Sequence, residues 1–408
     1  MADSGPISWF NLLPTETIMQ IFILASQYTD VGSLRSNSAF PSAALRVNRQ
    51  WRGIALATPS IWANPVIIAH KSAGHRLKEY LQYGLPDQLT HLDVLVPALG
   101  AATHDDQLTD RLSNTIFLLR PDSRCFRSTR LVAGEGASTV SLMYIHRALG
   151  RAWGPTLERS EMAGYDMLTE AGQLVEGILP FASTFRLYSQ LRFLSLEGVS
   201  PCGLEMAEEN VPEYYLPHLE ELHLTKVNHT ALVLLSYFSM PNLYILAIDC
   251  SSRSSSESTG PVDDGGLAAY GAQYIRAQHI ILYNLPSSVD IRKIISHAFR
   301  AQHLALTFDD NHDFETHLLP TLVNLPFLRL HTLSFQSRHP GLNLIRRWVE
   351  SGLPRLKTIE LGRLATLDAD GEDLEWLRAN AKLELRSADE LGFSQVLARV
   401  TGQRPPTI

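Results

Sequence analysis

The residues of this 408-residue chain that could do chemistry are few and dispersed. The densest group is Asp309-Asp310-Asn311-His312-Asp313, hard oxygen donors beside one imidazole, a set that suits a divalent cation. It follows a predicted strand ending near Phe308 and precedes a predicted helix, where Asp and Asn side chains cap the first turn. Capping is the preferred reading. His104-Asp105-Asp106 stands in the same relation to a helix predicted from residue 109. His223, His279 and His303 fall on predicted strands and read as polar strand groups rather than ligands. Cys125, Cys202 and Cys250 are too few and too far apart for a disulfide framework or a Cys-x-x-Cys knuckle, which points to a reducing compartment. No Walker loop, Rossmann glycine fingerprint, His-Glu-x-x-His helix, nucleophile elbow or EF-hand loop occurs. No catalytic residue, metal or cofactor is therefore expected.

Composition narrows the partners. Lys and Arg total 35 against 42 Asp and Glu, a net charge of −7, which argues against a general nucleic-acid binder. Apolar content of 45% is ordinary for a globular chain. The first residues lack a basic stretch followed by an apolar core, and no apolar run approaches the roughly 18 residues of a membrane span. The expectation is an intracellular protein, cytoplasmic, nuclear or both.

The elements that must position any site come from a recurring pattern. Leu191-x-x-Leu194-x-Leu196, Leu219-x-x-Leu222-x-Leu224 and Leu243-x-x-Leu246-x-Ile248 are its clearest copies. Weaker copies centre on 280, 304, 333, 359 and 383, and upstream on 92, 129 and 160. The eleven centres lie about 29 residues apart on average, at the long end of leucine-rich repeats. In Leu-x-Leu the two apolar side chains share one strand face and the residue between them takes the other. Amphipathic stretches at 109–119, 142–153, 168–179, 229–238, 288–300, 314–324, 343–351, 371–380 and 389–400 fit helices between strands. One strand and one helix cannot bury both apolar faces, whereas a stack of them does. A doubly wound α/β sheet is the alternative, but it would not repeat a motif. Residues 250–266, rich in Ser and Gly, read as a flexible insertion.

The first 65 residues follow a different rule. Ile18, Ile21, Phe22 and Ala25 fall on one helix face behind Pro14, and Ala44, Val47, Trp51, Ile54 and Ala55 make a second stripe. Thr58-Pro59-Ser60-Ile61-Trp62 reads as a cap, a proline start and a short aromatic turn. A unit this small is marginal alone, so part of its apolar surface should be covered by other structure, either the rest of this chain or another protein.

Taken in order, Leu12-Leu13-Pro14-x-Glu16-x-Ile18-x-x-Ile21-Phe22, Val47-Asn48-Arg49-x-Trp51-Arg52-x-Ile54-Ala55 and Thr58-Pro59-x-x-Trp62 resemble an F-box, especially those of mushroom-forming fungi. Asn48 departs from the family, which usually has Cys there, and the loop at 28–42 is longer than in the shortest F-boxes. The resemblance implies a small Skp-type adaptor as partner, and through it a cullin–RING ubiquitin ligase. It also implies that Leu13, Pro14, Ile18, Ile21, Phe22, Val47 and Trp51 supply the adaptor-facing or supporting apolar surface, with Trp51 and Ile54 equally open to being internal core.

The expected fold is therefore α/β. An F-box at 7–65 and a join at 66–88 precede a degenerate leucine-rich-repeat solenoid at 89–402, with a curved parallel sheet inside and helices outside. Ser195, Glu197, His223, Thr225, Asp249, Tyr283, Thr307, Gln336 and Glu360 would then line the inner sheet face, as target contacts or as solvated strand residues. The functional expectation is a non-catalytic substrate-recognition subunit of an SCF-type ligase. The rivals are an interaction scaffold without a ubiquitylation role and an α/β hydrolase-like enzyme.

Overall fold

A computed structural model of the chain describes residues 13–27, 40–68, 73–85, 89–96, 114, 116, 126–134, 139–163, 184–198, 214–227, 235, 238–251, 277–285, 300–308, 329–336, 342–351, 356–362, 372–387 and 390–402. The chain forms two compact units, Met1–Gly164 and Tyr165–Ile408.

The first unit begins with helices α1 (Thr15–Gln27), α2 (Phe40–Val47) and α3 (Arg49–Ala57), then a 3-10 turn at Pro59–Trp62. The second predicted stripe thus splits into two helices at Asn48. The reason is local: Asn48 is extended (φ −158°) and its Oδ1 accepts the Trp51 amide at 2.8 Å, an N-cap that starts α3 afresh. Thr58 does not cap as expected. Its hydroxyl donates back to the Ile54 carbonyl at 2.7 Å instead. Phe22 is the centre of this bundle, with its ring edge-on to Phe40 at 5.3 Å and to Trp51 at 5.1 Å.

Strands β1 (Val66–Ile68), β2 (His91–Val96), β3 (Ser128–Ala133) and β4 (Arg159–Ala163) follow, with helix α4 (Ala73–Tyr83) after β1 and α5 (Thr139–Trp153) after β3. All are parallel and lie in chain order. Trp62 ties the helical bundle to this sheet. It is fully buried, donates to the Ala55 carbonyl at 2.9 Å, and packs on Tyr80 of α4 at 5.6 Å.

The second unit contains β5 (Phe193–Glu197), the short β6 (Tyr214–Tyr215), β7 (Glu221–Thr225), the short β8 (Phe238–Ser239), β9 (Ile245–Asp249), β10 (His279–Leu285), β11 (His303–Phe308), β12 (Thr332–Gln336), helix α6 (Leu342–Glu350), β13 (Thr358–Gly362), helix α7 (Glu372–Asn380), β14 (Lys382–Arg386) and helix α8 (Phe393–Thr401). Strands β6 and β8 pair only with each other. The remaining eight are parallel in the order 5-7-9-10-11-12-13-14. A doubly wound sheet reverses strand order at a switch point; neither unit does so here, and the stacked-repeat reading holds.

The register reports the repeat directly. Leu194, Leu222, Leu246, Ile280, Leu304, Leu333, Ile359 and Leu383 are successive partners across the second unit, and Leu92, Thr129 and Ser160 across the first. Every predicted centre sits on a strand. Three residues upstream lies a further buried position, filled by Leu89, Phe126, Leu157, Leu191, Leu219, Leu243, Ala277, Ala301, Leu330 and Leu356. The position is kept while its residue type drifts, which explains why the copies read as degenerate. Four residues past the centre the chain turns through left-handed backbone at Gly198 (φ 71°), Lys226 (φ 51°) and Asn284 (φ 51°).

Of the nine expected helices, those at 142–153, 343–351, 371–380 and 389–400 correspond to α5, α6, α7 and α8. The other five, the insertion at 250–266 beyond Ser251, and both Asp/His clusters lie outside the described residues, apart from isolated positions. Strand β1, within the stretch read as a join, was not anticipated. It is three residues long and lacks the leucine frame.

Candidate protein-interaction sites

Two surfaces follow from this geometry. The first is on the N-terminal helices. Ile18 and Phe22 are 1% exposed and Ile54 is 7%, so these three support the bundle from inside. Trp51 is half-buried against Phe22, and Leu13 is half-buried. Pro14, Ile21 and Val47 face outward. The Pro14 carbonyl accepts the amides of Thr17 (3.0 Å) and Ile18 (3.1 Å), which fixes the first turn of α1. Sequence reasoning missed Leu24 and Leu56. Leu24 lies three residues beyond Ile21, a spacing that could have found it. Among the described residues, eight large hydrophobic side chains are strongly exposed, and Ile21, Leu24, Val47 and Leu56 are four of them. Four of the eight therefore fall on α1–α3.

The second surface is the sheet face between the leucines. Its central row runs Ser195, His223, Ala247, Ile281, Ala305, Ser334, Glu360, Glu384 in strict register. The expected target residues divide along it. Glu197 remains partly exposed and pairs with Lys226 Nζ at 2.5 Å. Thr225 is half-buried, as is Asp249, which accepts from the Ser251 amide (3.0 Å) and from Asn284 Nδ2 (2.8 Å). The side chain of Gln336 lies outside the described set.

His223, Tyr283, Thr307 and Glu360 were expected to be open and are instead covered, at 7%, 4%, 9% and 6% exposure. His223 is packed edge-on to Phe193 at 4.8 Å. For Tyr283 and Glu360 the cover is α8. Leu391 and Val396 are buried against Ala247, Ile281, Tyr283 and Ala305, with Phe393, Leu397 and Val400 packed around them. The Tyr283 hydroxyl donates to the Leu391 carbonyl, and its ring meets Phe393 at 5.4 Å. Burial pushes the Tyr283 phenol up to about 12. Glu360 accepts from Ser334 Oγ at 2.6 Å and from Arg399 of α8 at 2.8 Å.

A polar chain continues from there. His303 Nε2 lies 3.0 Å from Ser334 Oγ, the His279 and His303 rings meet edge-on at 5.9 Å, and His279 Nε2 lies 3.0 Å from the Tyr244 hydroxyl. Burial, with the nearby charges of His279 and Arg399, lowers His303 to about 3, so this imidazole is neutral and links strands rather than shuttling protons.

Among the described residues no group of three or more His, Cys, Asp and Glu is placed to hold a metal, and no helix is long and apolar enough to cross a membrane. A cavity of about 190 Å³ lined by Tyr244, Gln278, Arg300 and Arg329 falls short of the roughly 300 Å³ at which small-molecule sites begin.

No protein-family model matches the chain, and no curated protein matches it. Among solved structures it has a weak likeness to the crystal structure of the Rad7 and Elc1 complex in yeast, at 12% identity and a TM-score of 0.34, covering 92% of this chain and 94% of that one.

Proposed function

We propose that this chain is a non-catalytic substrate-recognition subunit of an SCF-type ubiquitin ligase, working in the cytoplasm, the nucleus or both. Helices α1–α3 dock a Skp-type adaptor, the adaptor joins a cullin–RING ligase, and the strand repeats hold a target protein. The chain makes and breaks no bond. Its contribution is proximity, since a held target presents its lysines to the conjugating enzyme at high effective concentration.

The observation that carries this reading is the agreement between the F-box-like residue order and the exposed apolar side chains of the bundle that order forms. Ile21, Leu24, Val47 and Leu56 stand outside a core whose own members, Ile18, Phe22, Ile54 and Trp62, are already satisfied.

Co-purification tests it. The intact chain is expected to capture a recombinant Skp-type adaptor. Leu13→Ala combined with Pro14→Ala is expected to abolish capture while the strand repeats keep their thermal transition. Undiminished capture by the double variant would sink the docking claim.

A further inference from the structure

The row of residues beneath α8 has a shape and a charge pattern of its own. In register across three strands stand Ala247, Ile281 and Ala305, a small–large–small profile. The two alanines leave a shallow channel on either side of Ile281, and α8 lies against it with Val396 fully buried. The anchors of α8 are Phe393, Val396, Leu397 and Val400, spaced i, i+3, i+4 and i+7, the stripe by which an amphipathic helix lies in a groove. The channel ends in a charge cluster. Glu360 and Glu384 are register partners, Arg386 pairs with Glu384 and lies 3.6 Å from Glu360, and Arg399, at i+6 in the helix, meets Glu360 at 2.8 Å.

Three further observations set α8 apart from the repeat helices. It covers the face between the leucines, whereas the repeats bury the leucine face. Its polar attachments to this face join residues distant in the chain, Tyr283 to Leu391 across 108 residues and Glu360 to Arg399 across 39. It has nine residues, below the roughly 12–15 at which an isolated helix holds its own structure in water, so it is helical because it is docked. The same face continues onto β5 and β7, where Ser195, Glu197 and Thr225 are only partly buried and His223 between them is covered.

We propose that the face under α8 is a helix-binding groove which the chain keeps closed with its own α8. The partner it accepts is an amphipathic helical segment with apolar residues at i, i+3, i+4 and i+7 and a basic residue at i+6. Such a segment makes first contact on the open part of the face over β5 and β7 and then displaces α8 by taking over its contacts. A longer helix outcompetes α8 because it extends onto the partly exposed Ser195, Glu197 and Thr225 of β5 and β7. This goes beyond adaptor docking and holds whether or not the adaptor binds.

The test uses the full chain and one probe, a fluorescein-labelled peptide of residues 390–402, read by fluorescence anisotropy. The release variant is Leu397→Asp with Val400→Asp, two side chains at the edge of the docked helix that become harmless once it is free. The release variant is expected to bind the probe at least 10-fold more tightly than the unaltered chain, because its groove is empty. A probe carrying Leu397→Asp should bind neither. Glu360→Gln in the release variant should weaken the normal probe several-fold and leave a probe with Arg399→Gln unchanged, since the charge pair is then already lost. Equal affinity of the release variant and the unaltered chain, with the sheet intact by circular dichroism, would overturn the proposal. So would loss of the sheet in the release variant, because α8 would then be a permanent part of the fold. Adaptor capture reads a different surface, so its failure and the failure of this proposal are separable.

Discussion

Leu24 and Val47 allow the docking surface to be tested by a number. They are 66% and 55% exposed, so most of the free energy of burying them is still to be gained. Full burial of such side chains yields about 1.5–3 kcal/mol. Scaling by the exposed fraction leaves about 1–2 kcal/mol for Leu24 and slightly less for Val47. If both are covered by the adaptor and act independently, Leu24→Ala with Val47→Ala loses about 1.8–3.6 kcal/mol, a rise in Kd of roughly 20- to 400-fold. The folded chain should barely notice, since surface truncations typically move stability by less than about 0.5 kcal/mol. Phe22→Ala is the counterpart. At 1% exposure it should cost about 3–5 kcal/mol of stability, and it would weaken binding only by unfolding the bundle. Isothermal titration with a purified Skp-type adaptor gives Kd, and thermal unfolding of the same samples gives stability. A double variant that binds within 3-fold of the unaltered chain would refute the surface assignment. A double variant that melts like Phe22→Ala would show that the two side chains belong to the core.

Other expectations are local. Asn48→Ala should cost about 1 kcal/mol by removing the side-chain cap on the Trp51 amide, with Asn48→Asp nearly neutral; denaturant midpoints decide this. Burial lowers His146 of α5 to about 3, whereas the unfolded imidazole titrates near 6.5. The unfolded state then binds the extra proton, so stability is complete above about pH 6.5 and is lost as the pH falls toward 3, by about 2 kcal/mol between pH 7 and pH 5. Urea midpoints at the two pH values should show the loss, and His146→Gln should reduce it. Lys226 sits in left-handed backbone at φ 51°, a conformation that costs most residues about 1–2 kcal/mol. Lys226→Gly should therefore leave the thermal midpoint level or raised, despite losing the ion pair to Glu197, and a marked fall would contradict the strain argument.

The sheet was legible because its signal is physical and repeats. Two apolar residues on one strand face recur in nine of the eleven units, and even Thr129 and Ser160, polar at that position, are held in register by their neighbours. The position three residues upstream stands out in the three clearest copies; Leu89, Leu157, Leu330 and Leu356 also keep leucine there, while Phe126, Ala277 and Ala301 take its place in three others. At the N-terminus the residue order identified the helices but could not sort lining from surface. Ile18 and Ile21 have the same side chain three residues apart, and only packing makes one internal and the other external. The inner face was misjudged for a different reason. Periodicity correctly gave which residues face away from the leucines, but whether anything covers them depends on a helix more than a hundred residues from Tyr283. No local pattern in β10 carries that information.

That long reach also sets an order of assembly. Strands in this sheet pair with their neighbours in the chain, so the repeats can form by short steps spreading from any nucleated pair. Helix α8 cannot join until β9, β10 and β11 stand side by side, because its seat is made from all three. Its docking thus follows the pairing of these three strands, and its release can precede their separation. Native-state hydrogen exchange should see amides 396–401 open without the strands beneath them, as a separate cooperative unit of lower stability.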